Sequence, residues 1–102
     1  MAVLMEFAIF PTDRGISVSQ QVTQVIAMIK ESGYPFQLTA MGTLIETSTV
    51  GEALEIVEKA ATLLQEESKR IYSTIKLDIK KEASNLMETK VQSVMNKLNK
   101  DK

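Results

Sequence analysis

The sequence predicts an α+β domain: a ferredoxin-like βαββαβ sandwich with an additional C-terminal helix. In that plan two helices cover one face of a four-stranded antiparallel sheet. Three observations predict it. Four short segments read as strands, by apolar runs or by alternation with period two. Three others carry apolar residues at helical spacing, and the breaks between them hold Gly, Pro, Ser and Thr. At 102 residues, 44% hydrophobic and 25% charged, the chain fits one folded domain spanning residues 1–102 rather than a disordered segment.

Val3 to Phe10 is apolar apart from Glu6, and Pro11 stops it. Both alternating faces are apolar, so it reads as a central strand covered on both sides. Pro11 to Gly15 is a loop. Ser17 or Ser19 opens the first helix, with Gln20 at capping-box spacing from Ser17. Val18, Val22, Val25, Ile26 and Ile29 form its apolar stripe, and Gly33 suits the position after its last turn near Ser32.

Pro35 to Ala40 is the second strand, with Phe36, Leu38 and Ala40 on one face and Gln37 and Thr39 on the other. Pro35 fits only its first position or an edge. Met41-Gly42 turns tightly into the third strand, Thr43 to Thr47. Thr49 or Ser48 caps the second helix, with Glu52 three residues after Thr49. Ala53, Ile56, Val57, Ala60, Ala61 and Leu64 form its buried stripe. Ser68 to Ile79 is the fourth strand, with Ile71, Ser73, Ile75, Leu77 and Ile79 on one face and Arg70, Tyr72, Thr74, Lys76 and Asp78 on the other. The plan leaves the sheet face opposite the helices uncovered.

The further helix runs from about Ala83 to Lys100. Met87, Val91, Val94 and Leu98 make a narrow seam on it, with Lys and Glu around them. A narrow seam suits a partner helix better than a broad core, so this helix is expected to pack on another subunit. Two heptads alone do not hold a coiled coil, so other contacts must help. Lys97, Lys100 and Lys102 complement the helix end and a solvated tail.

Net charge is −1 and the pI is about 5.5. That balance argues against nucleic acid and gives no pull toward anionic membranes. The chain has no cysteine and no histidine. Disulfides, thiolate nucleophiles, the commonest general base and the commonest metal ligand are therefore excluded. The N-terminal run lacks a basic region and contains Glu6, so it does not read as a signal peptide, and no apolar stretch reaches bilayer length. A cytoplasmic location is expected. The four glycines are isolated, so no phosphate loop is formed, and no nucleophile elbow is present.

Two carboxylates stand out. Glu6 sits inside an apolar strand and Glu46 follows Leu44-Ile45. The first and third strands are central neighbours in this plan, which brings the two near each other. Carboxylates on half-buried strands are costly unless a cation or donor meets them. A salt bridge to Lys76 or Arg70 would meet that need as well as a ligand would. Gln37, Thr39 and Met41-Gly42-Thr43 form a polar stretch that ordinary strand surface and turn chemistry also explain. The residues alone indicate an oligomeric ferredoxin-like domain that is not an enzyme and needs no cofactor or metal.

The segment Ser32-Gly33-Tyr34-Pro35-Phe36-Gln37-Leu38-Thr39-Ala40-Met41-Gly42-Thr43-Leu44-Ile45-Glu46 resembles the signature of the thiamine-binding family of small YkoF-related proteins. Gly15 to Ser19, Ser73 to Asp78 and Lys90 to Leu98 are similar to that family's first-helix loop, last strand and C-terminal helix. After Asp78 the chain has Ile79-Lys80-Lys81-Glu82 where the family has an arginine-rich stretch, so no anion-binding role is carried over there. The resemblance implies a homodimer or dimer of dimers that binds thiamine or its hydroxymethylpyrimidine moiety without chemistry. Such a ligand needs a countercharge for its thiazolium, and Glu46 and Glu6 are the candidates. Thr43, Thr39, Gln37 and Ser17 are candidates for hydrogen bonds to the pyrimidine, and Phe7, Phe10 and Met41, beside Gly42, for its walls. The competing expectation is a self-assembling regulatory or scaffold domain with no small-molecule ligand; an enzyme built on the paired carboxylates ranks last.

Overall fold

The computed structural model describes residues 1–15, 18–82 and 85–100. The elements are β1 (Ala2–Pro11), α1 (Ser19–Ser32), β2 (Phe36–Leu38), β3 (Thr43–Thr47), α2 (Val50–Gln65), β4 (Ile71–Lys80) and α3 (Leu86–Lys100). The sheet order is β2-β3-β1-β4, antiparallel throughout. This is the ferredoxin-like plan with an additional helix.

The core lies between the sheet and the pair α1 and α2. Val3, Met5, Phe7 and Ile9 of β1 and Ile45 of β3 face Val25 and Ile29 of α1 and Ala53, Ile56, Ala60 and Leu64 of α2. Strand alternation sends the other side chains to the opposite face. There Glu6 and Phe10 are exposed and Leu4 and Ala8 half-buried. The expectation that β1 is covered on both sides is thus corrected: both packing helices take one side, and apolar residues at even positions face outward.

The helices begin differently. Thr49 accepts the Glu52 N–H at 3.1 Å, and the Glu52 carboxylate accepts the Thr49 N–H at 3.0 Å, a complete capping box. At α1 the N-cap position is Val18, which gives no side-chain cap. Ser17 lies outside the described residues. Gly33 ends α1 with φ 83°, a left-handed position that glycine takes without strain.

β2 is shorter than the sequence predicts because Thr39 leaves it for the turn. The Thr39 hydroxyl donates to the Gly42 carbonyl at 2.7 Å and accepts the N–H groups of Met41 and Gly42. β4 starts later than Ser68 because the residues before it hold the β1–α1 loop. The Lys69 N–H donates to the Asp13 carboxylate at 2.9 Å and Arg14 donates to Ser68. The Lys69 bond leads in lowering the Asp13 carboxyl below its ordinary value, against a smaller opposing effect of burial.

α3 starts at Leu86, after left-handed Asn85; Ala83 and Ser84 lie outside the described residues, as does Lys102. Leu86 is buried and Met87 partly so, while every residue from Glu88 to Lys100 is exposed. The seam residues Val91, Val94 and Leu98 stand more than half exposed.

Candidate ligand-binding site

The β1–β3 register ends at Phe7↔Thr43, while β1 runs on to Pro11. The residues Ala8 to Phe10 therefore have no strand neighbour on that side. The β2–β3 turn and the first half of α1 enclose the resulting notch, a cavity of about 190 Å³. Its walls are Phe7, Ile9, Val22, Ile26 and Leu38, with Met41 and Phe10 at an exposed position.

The alternation of an antiparallel ladder decides which backbone groups face the notch. The Thr12 N–H donates to the Arg70 carbonyl, so even-numbered residues of β1 bond toward β4. The Glu46 N–H donates to the Pro35 carbonyl, so odd-numbered residues of β3 bond toward β1. Both place the N–H and C=O of Ile9 on the β3 side, where the ladder has ended. One backbone donor and one acceptor thus lie side by side on the notch wall without a strand partner. Thr43 adds a hydroxyl: the residue is 5% exposed, lines the cavity, and its side chain makes no hydrogen bond within the described chain. Gly42 sits close to β1, where a Cβ would come 3.1 Å from the Phe7 carbonyl oxygen.

The candidate residues that the structure describes fall in three places. Thr39, Met41, Gly42 and Thr43 line the notch, with Phe7 and Phe10. The Thr39 hydroxyl is spent on the turn. Glu6 is on the open sheet face, with Lys76 at 3.9 Å. Glu46, opposite Leu4 on that face, is buried because α3 starts over it, and its carboxylate accepts the Met87 N–H at 2.9 Å. Glu6 lies opposite Leu44, so the two carboxylates share this face one diagonal apart. The salt bridge anticipated for Glu6 is the one with Lys76, whereas a backbone donor meets Glu46. Gln37 lines a separate groove of about 700 Å³ between β2 and α3. Ser17 lies outside the described residues.

Sequence reasoning missed Ile9, Val22 and Ile26 as notch walls. Val18, Val22 and Ile26 lie four apart and are half-buried, beside the fully buried line of Val25 and Ile29. A stripe two lines wide was the available signal. A third groove, about 660 Å³, runs between α1 and α2 past Met28, Glu31, Glu55 and Leu63, and holds no candidate residue. Among the described residues no group of three or more Asp and Glu is gathered to hold a metal ion, and no helix is long and apolar enough to cross a membrane.

Residues 5–95 match the family described as thiamine-binding protein. A UPF0045 protein of Mycobacterium bovis is 33% identical over 94 residues, which are 92% of this chain and 92% of that one. The crystal structure of a hypothetical protein from Methanocaldococcus jannaschii superposes with a TM-score of 0.83 at 29% identity, over 91% of this chain and 95% of that one. A Thermotoga maritima structure shares the fold, with a TM-score of 0.77 at 17% identity over 91% of this chain and 99% of that one.

Proposed function

The chain belongs to the thiamine-binding protein family, and from that premise we propose that it binds thiamine through the hydroxymethylpyrimidine moiety, without chemistry. The observation that carries this reading is the notch. It offers a paired backbone acceptor and donor at Ile9, a hydroxyl at Thr43 and apolar walls. An aminopyrimidine presents the matching donor and acceptor on one edge and apolar faces above and below. At about 190 Å³ the notch is smaller than the roughly 300 Å³ at which sites for drug-sized ligands begin. It fits one ring, and the rest of the ligand would extend past Met41 and Phe10.

No carboxylate lines the notch, so Glu6 and Glu46 are not the countercharge in this reading. The protein works as a cytoplasmic homo-oligomer that carries, salvages or senses the ligand, with the seam Met87, Val91, Val94 and Leu98 covered by another subunit.

Calorimetry with thiamine, hydroxymethylpyrimidine and thiamine phosphate tests the proposal. The first two are expected to bind with similar affinity at one per chain. Thr43→Val should weaken both roughly tenfold, about one hydrogen bond, and Glu46→Gln should weaken neither. Absence of heat and of thermal stabilisation with all three would overturn it.

A second reading is favoured by the partners of Glu6 and Glu46, both of which come from the chain itself. In that reading the domain is a self-assembling regulatory or scaffold module with no ligand, and the notch is filled by water.

A further inference from the structure

α1 has two working sides. It turns Val22 and Ile26 to the notch, and Gln24, Ala27, Met28 and Glu31 to the groove it shares with α2. Those four groove residues stand at i, i+3, i+4 and i+7. Glu55, Glu58, Lys59 and Thr62 of α2 repeat the spacing. Each helix therefore gives the groove one continuous face over two turns, about 10 Å of axis. The floor is apolar: Met28 and Leu63 are half-buried, and Ala27 is too small to fill the space above them.

The charge of the rim is uneven. The Tyr34 hydroxyl donates to the Glu52 carboxylate at 3.2 Å, so the end of α1 lies beside the start of α2. The two helices run antiparallel. Glu31 and Glu55 thus flank one end of the groove, Glu58 stands midway, and uncharged Gln24 and Thr62 flank the other end. Lys59 is the only base on the rim, and Glu55 takes it at 3.1 Å. Glu31 and Glu58 have no ion pair among the described residues. Three acids and one base leave the rim at −2, while the whole chain carries only −1. The acid is concentrated at the groove rather than spread over the surface.

We infer that this groove docks a basic amphipathic helix of another protein. The groove is open along its length, which suits a rod laid into it more than a small ligand that must be enclosed. Two turns of partner helix would set apolar side chains at i, i+3, i+4 and i+7 on Ala27, Met28 and Leu63. The Met28 thioether adapts to varied apolar shapes. Lys or Arg on the flanks of that helix would meet Glu31 and Glu58, and opposite charge at a rim speeds encounter and selects the partner. The acid also disfavours nucleic acid and anionic lipid here. A helix such as α3 of a second copy would make a head-to-tail contact, which grows into open chains unless its rotation closes a ring. The groove lies on the outer side of the helix layer, across the sheet from α3, and rests on no ligand in the notch.

A synthetic helical peptide with leucine at i, i+3, i+4 and i+7 and lysine on both flanks tests the inference by fluorescence anisotropy with the full chain. Saturable binding at one peptide per chain is expected, weakening as salt is raised. Ala27→Arg, at an exposed helix position, fills the groove and adds a like charge. It and the double variant Glu31→Lys with Glu58→Lys should each weaken binding roughly tenfold or more. Glu88→Lys, the same charge change on α3, should leave binding unaltered. So should the native melting temperature be kept in all of them, which shows that they are folded. A peptide of identical composition with its leucines spread around the helix should not bind. The inference is overturned if the basic peptide does not saturate, if the spread peptide binds equally well, or if Ala27→Arg binds like the native chain. It is also overturned if Ala27→Arg abolishes self-association of the native chain in sedimentation, which would give the groove to a second copy.

Discussion

The two faces of the sheet are held by different physics. On the helix side Met5, Phe7 and Ile45 have almost no exposed surface and interlock with Ala53, Ile56 and Ala60. On the other side β1 and β4 present Glu6 with Lys76, and Phe10 with Tyr72 at a ring separation of 5.8 Å, all open to solvent. One face is fixed by close packing, where volume matters. The other is a sparse set of polar and aromatic pairs, worth little each while solvent reaches them. α3 interrupts this by burying Glu46 and Leu86 at one end of the open face.

Truncation should separate the faces most sharply. Ile45→Ala, at a fully buried position, is expected to cost about 2–5 kcal/mol, whereas Tyr72→Ala on the open face should cost roughly 0.5 kcal/mol; chemical denaturation of the two variants gives both values. Equal losses would mean the open face is covered in solution.

Next in size is Glu46, the one buried acid among the described residues. Glu46→Leu removes the acceptor of the Met87 N–H, and an orphaned buried donor costs about 1–3 kcal/mol. The loss should fall on α3, visible as faster amide exchange at Met87, with β1 amides unchanged. Smaller again is Thr49→Ala, which breaks the capping box on the closed side for about 1 kcal/mol; thermal unfolding reports it.

The gentlest probe is acid. Burial works against the charge on Glu52, but the Ser48 and Thr49 N–H groups, the Tyr34 hydroxyl and the Thr49 hydroxyl outweigh it together, and its carboxyl ends below the ordinary value of 4.5. A lowered folded-state value means the contribution is complete above the unfolded value and is lost as pH falls through the folded one. Thermal stability is therefore expected to drop below pH 4.5 with a slope that Glu52→Gln reduces. An unchanged slope would remove Glu52 from the acid response.

The fold was legible because its signals are local. The period of α2, its Thr49–Glu52 spacing and Gly33 after α1 each state a backbone conformation within a few residues. The notch was legible only in part. Thr39, Met41, Gly42 and Thr43 belong to one turn and could be found as a segment. The role of Ile9 depends on β3 ending two residues earlier than β1 needs, a relation between distant segments that no local pattern contains. Glu6 and Glu46 look alike in sequence, each an acid among apolar residues. Their fates separate because α3 happens to start over one of them, forty residues further along the chain.

The exposure of α3 beyond its first turn bears on spectroscopy. A helix of about 12–15 residues is marginal on its own in water, and here Leu86 and Met87 are anchored in the body and Lys90 pairs with Asp78 of β4, while the described residues beyond Lys90 are exposed. The helical signal of the protein therefore has two populations. That of α1 and α2 melts with the sheet, while in the unassembled chain the outer turns of α3 fray independently and at lower temperature. Circular dichroism in dilute solution should show a sloping, non-cooperative loss of helicity before the main transition, and deleting residues 91–100 should flatten that slope without moving the midpoint.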